Sequence, residues 1–148
     1  MGRRPDKVRA LVLELWTKTR IDWGFAADRI AVAFRRDRGL SSRERRQVAE
    51  TLYGMIRQAR RIDFALEVAG ARPAAGTARE TARLLAYEVL AGERTPAAAA
   101  REVPGIDWVR VAAVDARVAG ERDPARRLGL ARSLPDWLAR RLLDQYGA

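Results

Sequence analysis

The sequence predicts an all-α fold, and three observations predict it. Apolar residues recur at i, i+3, i+4 and i+7 along most of the chain, the spacing that gathers them on one face of a helix. No useful stretch alternates apolar and polar residues as a half-buried strand would. The six prolines all fall at the edges of the periodic segments or between them, where a residue without an amide hydrogen breaks no ladder.

The elements follow in order. Val8, Leu11, Val12, Leu15 and Trp16 set a first helix over about 5–19, with Pro5 tolerated in its first turn. Ala27, Ile30, Ala31 and Phe34 write a second, with Gly39 as its expected stop. Ser41 and Glu44 then stand at capping-box spacing. In the helix they open, residues about 100° apart put Val48, Leu52, Met55, Ile56 and Ala59 in one stripe. Arg43, Arg46, Arg57 and Arg61 fall almost opposite, beside Gly54, and Arg45 lies nearer the apolar side. A break near Arg61 leads into the apolar run 62–66, stopped by Gly70, and Pro73 and Gly76 mark a loop over 71–76. Further helices are expected over 77–90, from Thr95-Pro96 to Val103, over 107–118, and after Pro135 to the end. Residues 120–124 read as a turn.

With 148 residues and 48% hydrophobic content, the chain is sized for one folded domain, 1–148. It divides into a basic N-terminal half, 1–70, and a C-terminal half, 77–148. Apolar runs are all interrupted well before 18 residues, so no transmembrane helix is expected. The basic N-terminus leads into an amphipathic pattern unlike a signal peptide, and a cytoplasmic location is expected. Cysteine and histidine are both absent. That removes disulfides, Cys/His zinc sites, thiol nucleophiles and imidazole bases. Catalysis by Asp, Glu, Lys, Ser or Tyr stays formally open, but with the usual instruments missing the chain alone is expected to carry no catalytic residue, no metal and no cofactor.

The net charge of +10 is unevenly placed. Residues 1–61 hold 16 Lys and Arg against 7 Asp and Glu, a net of +9, and residues 62–148 hold 13 against 12, a net of +1. Such asymmetry is expected of a surface that binds a polyanion. The candidate RNA-binding set is Arg3, Arg4, Lys7, Arg35, Arg36, Arg38, Arg43, Arg46, Arg57, Arg60 and Arg61. Guanidinium suits this work, because its planar fork meets phosphate bidentately and stacks on an unpaired base. Residues 35–38 also lie where a helix dipole favours cations, so that cluster has a purely structural reading too. Glu50 interrupts the ridge of the third helix. Of the tryptophans, Trp16 is expected in the core and Trp137 against the body of the protein; Trp23 and Trp108 are open. Trp23-Gly24, in a loop beside basic helices, is the candidate for contact with a base. Asp63 reads as a cap or an arginine partner.

Residues 40–63, LSSRERRQVAETLYGMIRQARRID, resemble the signature segment of the NusB-like domain of bacterial Sun (RsmB-type) rRNA cytosine-C5 methyltransferases. The positions that carry it are Leu40, Arg45, Leu52, Tyr53, Gly54, Arg57, Arg60, Arg61 and Asp63. TPAAAAREVPGID and SLPDWLARRLLDQYG look like later segments of the same family. The resemblance implies a NusB-like helical bundle of two halves that binds rRNA, with arginines like Arg3 and Arg4 contributing. It also implies a methyltransferase domain C-terminal to this chain, which would bind S-adenosylmethionine and use cysteines on the cytosine. No family catalytic residue has a counterpart in these 148 residues. The chain is expected to be an excised N-terminal domain or a stand-alone relative. Free-standing NusB-like proteins act in transcription antitermination, which implies a second set of partners: a ribosomal protein, or a second copy of the chain.

Overall fold

A computed structural model describes residues 6–72 and 76–147; Arg3, Arg4, Pro5 and Pro73 lie outside the described residues. Ten helices and no strand occur among the described residues, so the chain is all-α. The helices cluster into two compact units, one ending at Ile56 and one beginning at Arg57.

The first unit is built from α1 (Lys7–Asp22), α2 (Ala26–Arg36) and α3 (Ser42–Arg57), the last residue of which belongs to the second unit. The start of α1 is set by Asp6, whose carboxylate accepts the amides of Val8 and Arg9 at 3.1 and 3.2 Å. These are two of the four donors every helix start leaves open. Helices α1 and α2 run antiparallel: Arg29 reaches Asp22, and two turns on Arg36 reaches Glu14. The second helix does not stop on a glycine. It ends at Asp37, whose carboxylate accepts the Gly39 amide at 3.1 Å, and Gly39 has no left-handed conformation. The capping box of α3 forms as expected. The Glu44 amide donates to Ser41 Oγ at 3.1 Å, and the Ser41 amide donates to the Glu44 carboxylate at 3.0 Å. Val12, Leu15, Trp16, Val48, Leu52 and Met55 are buried, so Trp16 is a core residue.

The second unit holds α4 (Ala59–Val68), α5 (Gly76–Leu90), α6 (Pro96–Glu102), α7 (Trp108–Ala112), α8 (Val114–Ala119), α9 (Pro124–Arg132) and α10 (Asp136–Tyr146). The break before α4 falls at Gln58, three residues earlier than the sequence suggested. Since α4 packs on α5, α7, α8 and α9, the divide lies after Ile56 and not in the 71–76 loop. The expected helix over 107–118 is two helices bent at Ala113. Helix α9 begins at the end of the expected 120–124 turn, where no helix was expected; Asp123 caps it and Pro124 opens it. Trp108 is buried and donates its indole N–H to the Val103 carbonyl at 2.9 Å. Trp137 does not pack the last helix onto the body: it is 66% exposed. The buried residue of α10 is Ala139, and two residues along a helix is about 200°, nearly the opposite face.

Side-chain charges tie this unit together. Arg83, 7% exposed, donates to Asp63 at 2.7 Å and to Glu80 at 2.9 Å, which makes Asp63 an arginine partner. Gly129 leaves the space that the Arg60 guanidinium fills: a Cβ there would lie 2.5 Å from Arg60 Nη1 and 2.9 Å from the Leu134 carbonyl oxygen. Gly129→Ala is therefore expected to destabilise the protein by about 1–3 kcal/mol, the usual range for overpacking. Chemical denaturation checks this; an unchanged midpoint would show that the α9–α10 corner relaxes freely.

Candidate nucleic-acid interface

One end of the first unit collects cations from three elements. Lys7 opens α1, Arg35 lies in the last turn of α2, Arg38 in the connection after it, and Arg43 and Arg46 in the first turns of α3. The Lys7 ammonium lies beside Gly39, 3.8 Å from where a Cβ on that residue would stand. It also acts on Glu44, whose carboxyl is held below its ordinary value first by the Ser41 amide. Lys7 thus joins the start of α1 to the α2–α3 connection, next to Arg38 and Arg43 in sequence.

The acidic residues at this end are all engaged by backbone. Asp6 holds the amides of Val8 and Arg9, Asp37 that of Gly39, and Glu44 that of Ser41. Carboxylates at helix starts are favoured there by the dipole and by the open N–H groups. Arg35, Arg38, Arg43 and Arg46 are exposed, and among the described residues none of them makes a side-chain ion pair or hydrogen bond. Four guanidiniums therefore face solvent with their donors open. Arg45, by contrast, is half-buried with its guanidinium 5.6 Å over the Phe34 ring.

The other residues of the candidate set are placed differently. Arg36 is in a two-point pair with Glu14, at 3.1 Å for each bond, and this pair is the main reason the Glu14 carboxyl is lowered. Arg57 is exposed at the end of α3. Arg60 donates to the Leu134 carbonyl and to Asp136. Arg61 donates to both oxygens of Asp115 at 2.9 Å and to Gln58 at 2.7 Å. Arg60 and Arg61 are thus occupied within the second unit. Counted by unit, residues 1–56 carry 13 basic against 7 acidic, a net of +6, and residues 57–148 carry 16 against 12, a net of +4.

At the far end of the α1–α2 pair is a corner the charge pattern does not reveal. Trp23 caps α1 at φ 54°, and Phe25 opens α2 at φ 59°, both left-handed. For residues other than Gly, Asn or Asp this conformation costs on the order of 1–3 kcal/mol. Phe25 occupies the N-cap position and supplies no side-chain bond to α2. The corner is held by Arg29, which donates to the Lys18 and Gly24 carbonyls and to both oxygens of Asp22. The two bonds from Arg29 to Asp22, and then the Gly24 amide, lower the Asp22 carboxyl to about 2. A depressed folded-state value adds stability above the ordinary 3.8, and that stability is lost as pH falls through about 2. The Trp23 indole resonance is therefore expected to hold its position from pH 7 to 4 and to move only below that. Movement centred above pH 4 would mean the clamp is not made.

Trp23 was legible in sequence as an aromatic in a loop. Phe25 was not, although an aromatic where Ser, Asp or Gly usually caps a helix was a signal. In comparisons with known proteins, no family model, no curated protein and no solved structure matches the chain.

Proposed function

We propose that this chain is an RNA-binding domain whose first unit grips the phosphate backbone with Lys7, Arg35, Arg38, Arg43 and Arg46. The observation that carries the reading is the set of unpaired guanidiniums at an end where the carboxylates are bound to backbone amides. Open forked donors on a rigid helical support are what phosphate oxygens require. A NusB-like bundle, as the resemblance of residues 40–63 implies, would use this face to present rRNA to an S-adenosylmethionine-dependent cytosine-C5 methyltransferase domain. No methyl-transfer step is assigned to the described residues in this reading. Their role is to bind and orient.

Titration of a single-stranded rRNA fragment at several salt concentrations tests this. With about five phosphate contacts, log K should fall with log salt at a slope of about −3 to −4. Absent or salt-independent binding would sink the proposal.

A further inference from the structure

We propose that the α1–α2 corner is a stacking platform for unpaired nucleobases, with Trp23 and Phe25 as its two rings. The inference rests on the RNA-binding reading above and adds the feature of RNA that is recognised: an unstacked base, not only a charged backbone.

Four observations meet at this corner. Both rings face solvent, Trp23 at 52% and Phe25 at 70% exposure. Both residues hold a left-handed backbone that asparagine or glycine would adopt far more readily. Phe25 also stands in a cap position that it leaves unfilled. At Phe25 neither a cap bond nor burial offsets the left-handed backbone, and at Trp23 the offset comes from the Trp16 edge contact and the Arg20 guanidinium, so the exposed ring faces ask for a ligand. The corner is also rigid, because Arg29 ties it at four acceptors and the Trp23 ring meets Trp16 edge to face at 5.8 Å. A pre-set ring loses little freedom when a base stacks on it.

Charge selects the occupant. The Arg20 guanidinium sits 5.8 Å from the Trp23 ring centre, and Lys18 and Arg29, paired with Glu14 and Asp22, flank the same corner. An apolar protein surface would gain nothing from these cations. A nucleotide gains twice, since its base stacks on the aromatic ring while its phosphate meets the cationic side chain beside that ring. Every base has a π-face, so the platform is tolerant of sequence and favours single-stranded or looped RNA over a duplex.

Two probes of equal charge separate this platform from the phosphate grip: a 12-nucleotide oligoadenylate, and an abasic ribose-phosphate chain of the same length. The wild-type protein is expected to bind the base-bearing strand tighter by roughly 10- to 100-fold, the range for one or two stacked bases. Trp23→Asn with Phe25→Asn keeps residues that tolerate the left-handed backbone and removes both rings. It should erase the preference and leave abasic binding unchanged. Trp23→Phe should retain most of it. Phe25→Asn alone, at a side chain that is 70% exposed, guards against an unfolded double variant. Equal binding of the two probes by the wild type, or an unchanged preference in the variants, overturns the platform while leaving the phosphate grip standing. Failure of the wild type to bind either strand overturns both. Oligomers of the wild type that the double variant disperses would assign the corner to a protein contact, and overturn the platform as well.

Discussion

Reversing Arg38, Arg43 and Arg46 to glutamate together is expected to weaken RNA binding by on the order of 100-fold or more at moderate salt, and to flatten its salt dependence by about two log units per decade. The three side chains are exposed and have no intramolecular partner among the described residues. Removing them therefore takes nothing from the fold, and helicity and thermal midpoint should hold. Each reversal removes one phosphate contact and adds a repulsive charge. The triple variant lowers the formal charge by six, from +10 to +4, so a global effect has to be separated from a local one. Reversing Arg117, Arg122 and Arg132, exposed residues of the second unit, changes the charge equally. A local site predicts a much smaller loss for this control. Equal losses would show that the protein attracts RNA by net charge alone and has no binding face.

Signals that are local in the chain were legible in sequence. The Ser41–Glu44 box and the Thr95-Pro96 start both form where they were read, because cap and helix are three residues apart. Asp123-Pro124 is the same signal as Thr95-Pro96, yet α9 was missed. Only Ala125, Gly129 and Leu130 of that helix are buried, so the apolar stripe that reinforces a cap elsewhere is thin. The bend at Ala113 has neither proline nor glycine to announce it. The divide after Ile56 depends on what α4 packs against, and periodicity carries no such information.

The candidate site divides along the same line. Composition marks which residues are cationic, but binding depends on which of them remain unneutralised. Arg61 is paired with Asp115, 54 residues away, and Arg60 with Asp136, 76 residues away. Arg36 is paired with Glu14, 22 residues back. Conversely, Asp37 and Glu44 sit among arginines in sequence without pairing with them, because backbone amides take them first. A charge pattern read along the chain thus overstates the ridge at its Arg60–Arg61 end and understates the cluster at the α2–α3 connection.

That distinction gives the second large effect. Arg60→Ala with Arg61→Ala is expected to destabilise the protein while the folded double variant still binds RNA to within a few-fold. Arg60 satisfies the Leu134 carbonyl and pairs with Asp136, joining α4 to the α9–α10 corner. Arg61 holds Asp115 of α8 at two points. An orphaned, partly buried carbonyl costs about 1–3 kcal/mol. The Arg61 pair is worth less, because Asp115 is 72% exposed along its side chain and is readily rehydrated. Together the loss should be about 2–4 kcal/mol, a drop in melting temperature of about 10–20 °C for a unit of this size. Arg60→Lys should recover little, since an ammonium lacks the planar fork that meets a carbonyl and a carboxylate at once. Gly129→Ala should also be non-additive with Arg60→Ala, because the added methyl and the guanidinium compete for one space. A stable double variant that has lost RNA binding would reverse the assignment: it would make Arg60 and Arg61 ligands of RNA and their intramolecular pairs a state that RNA displaces.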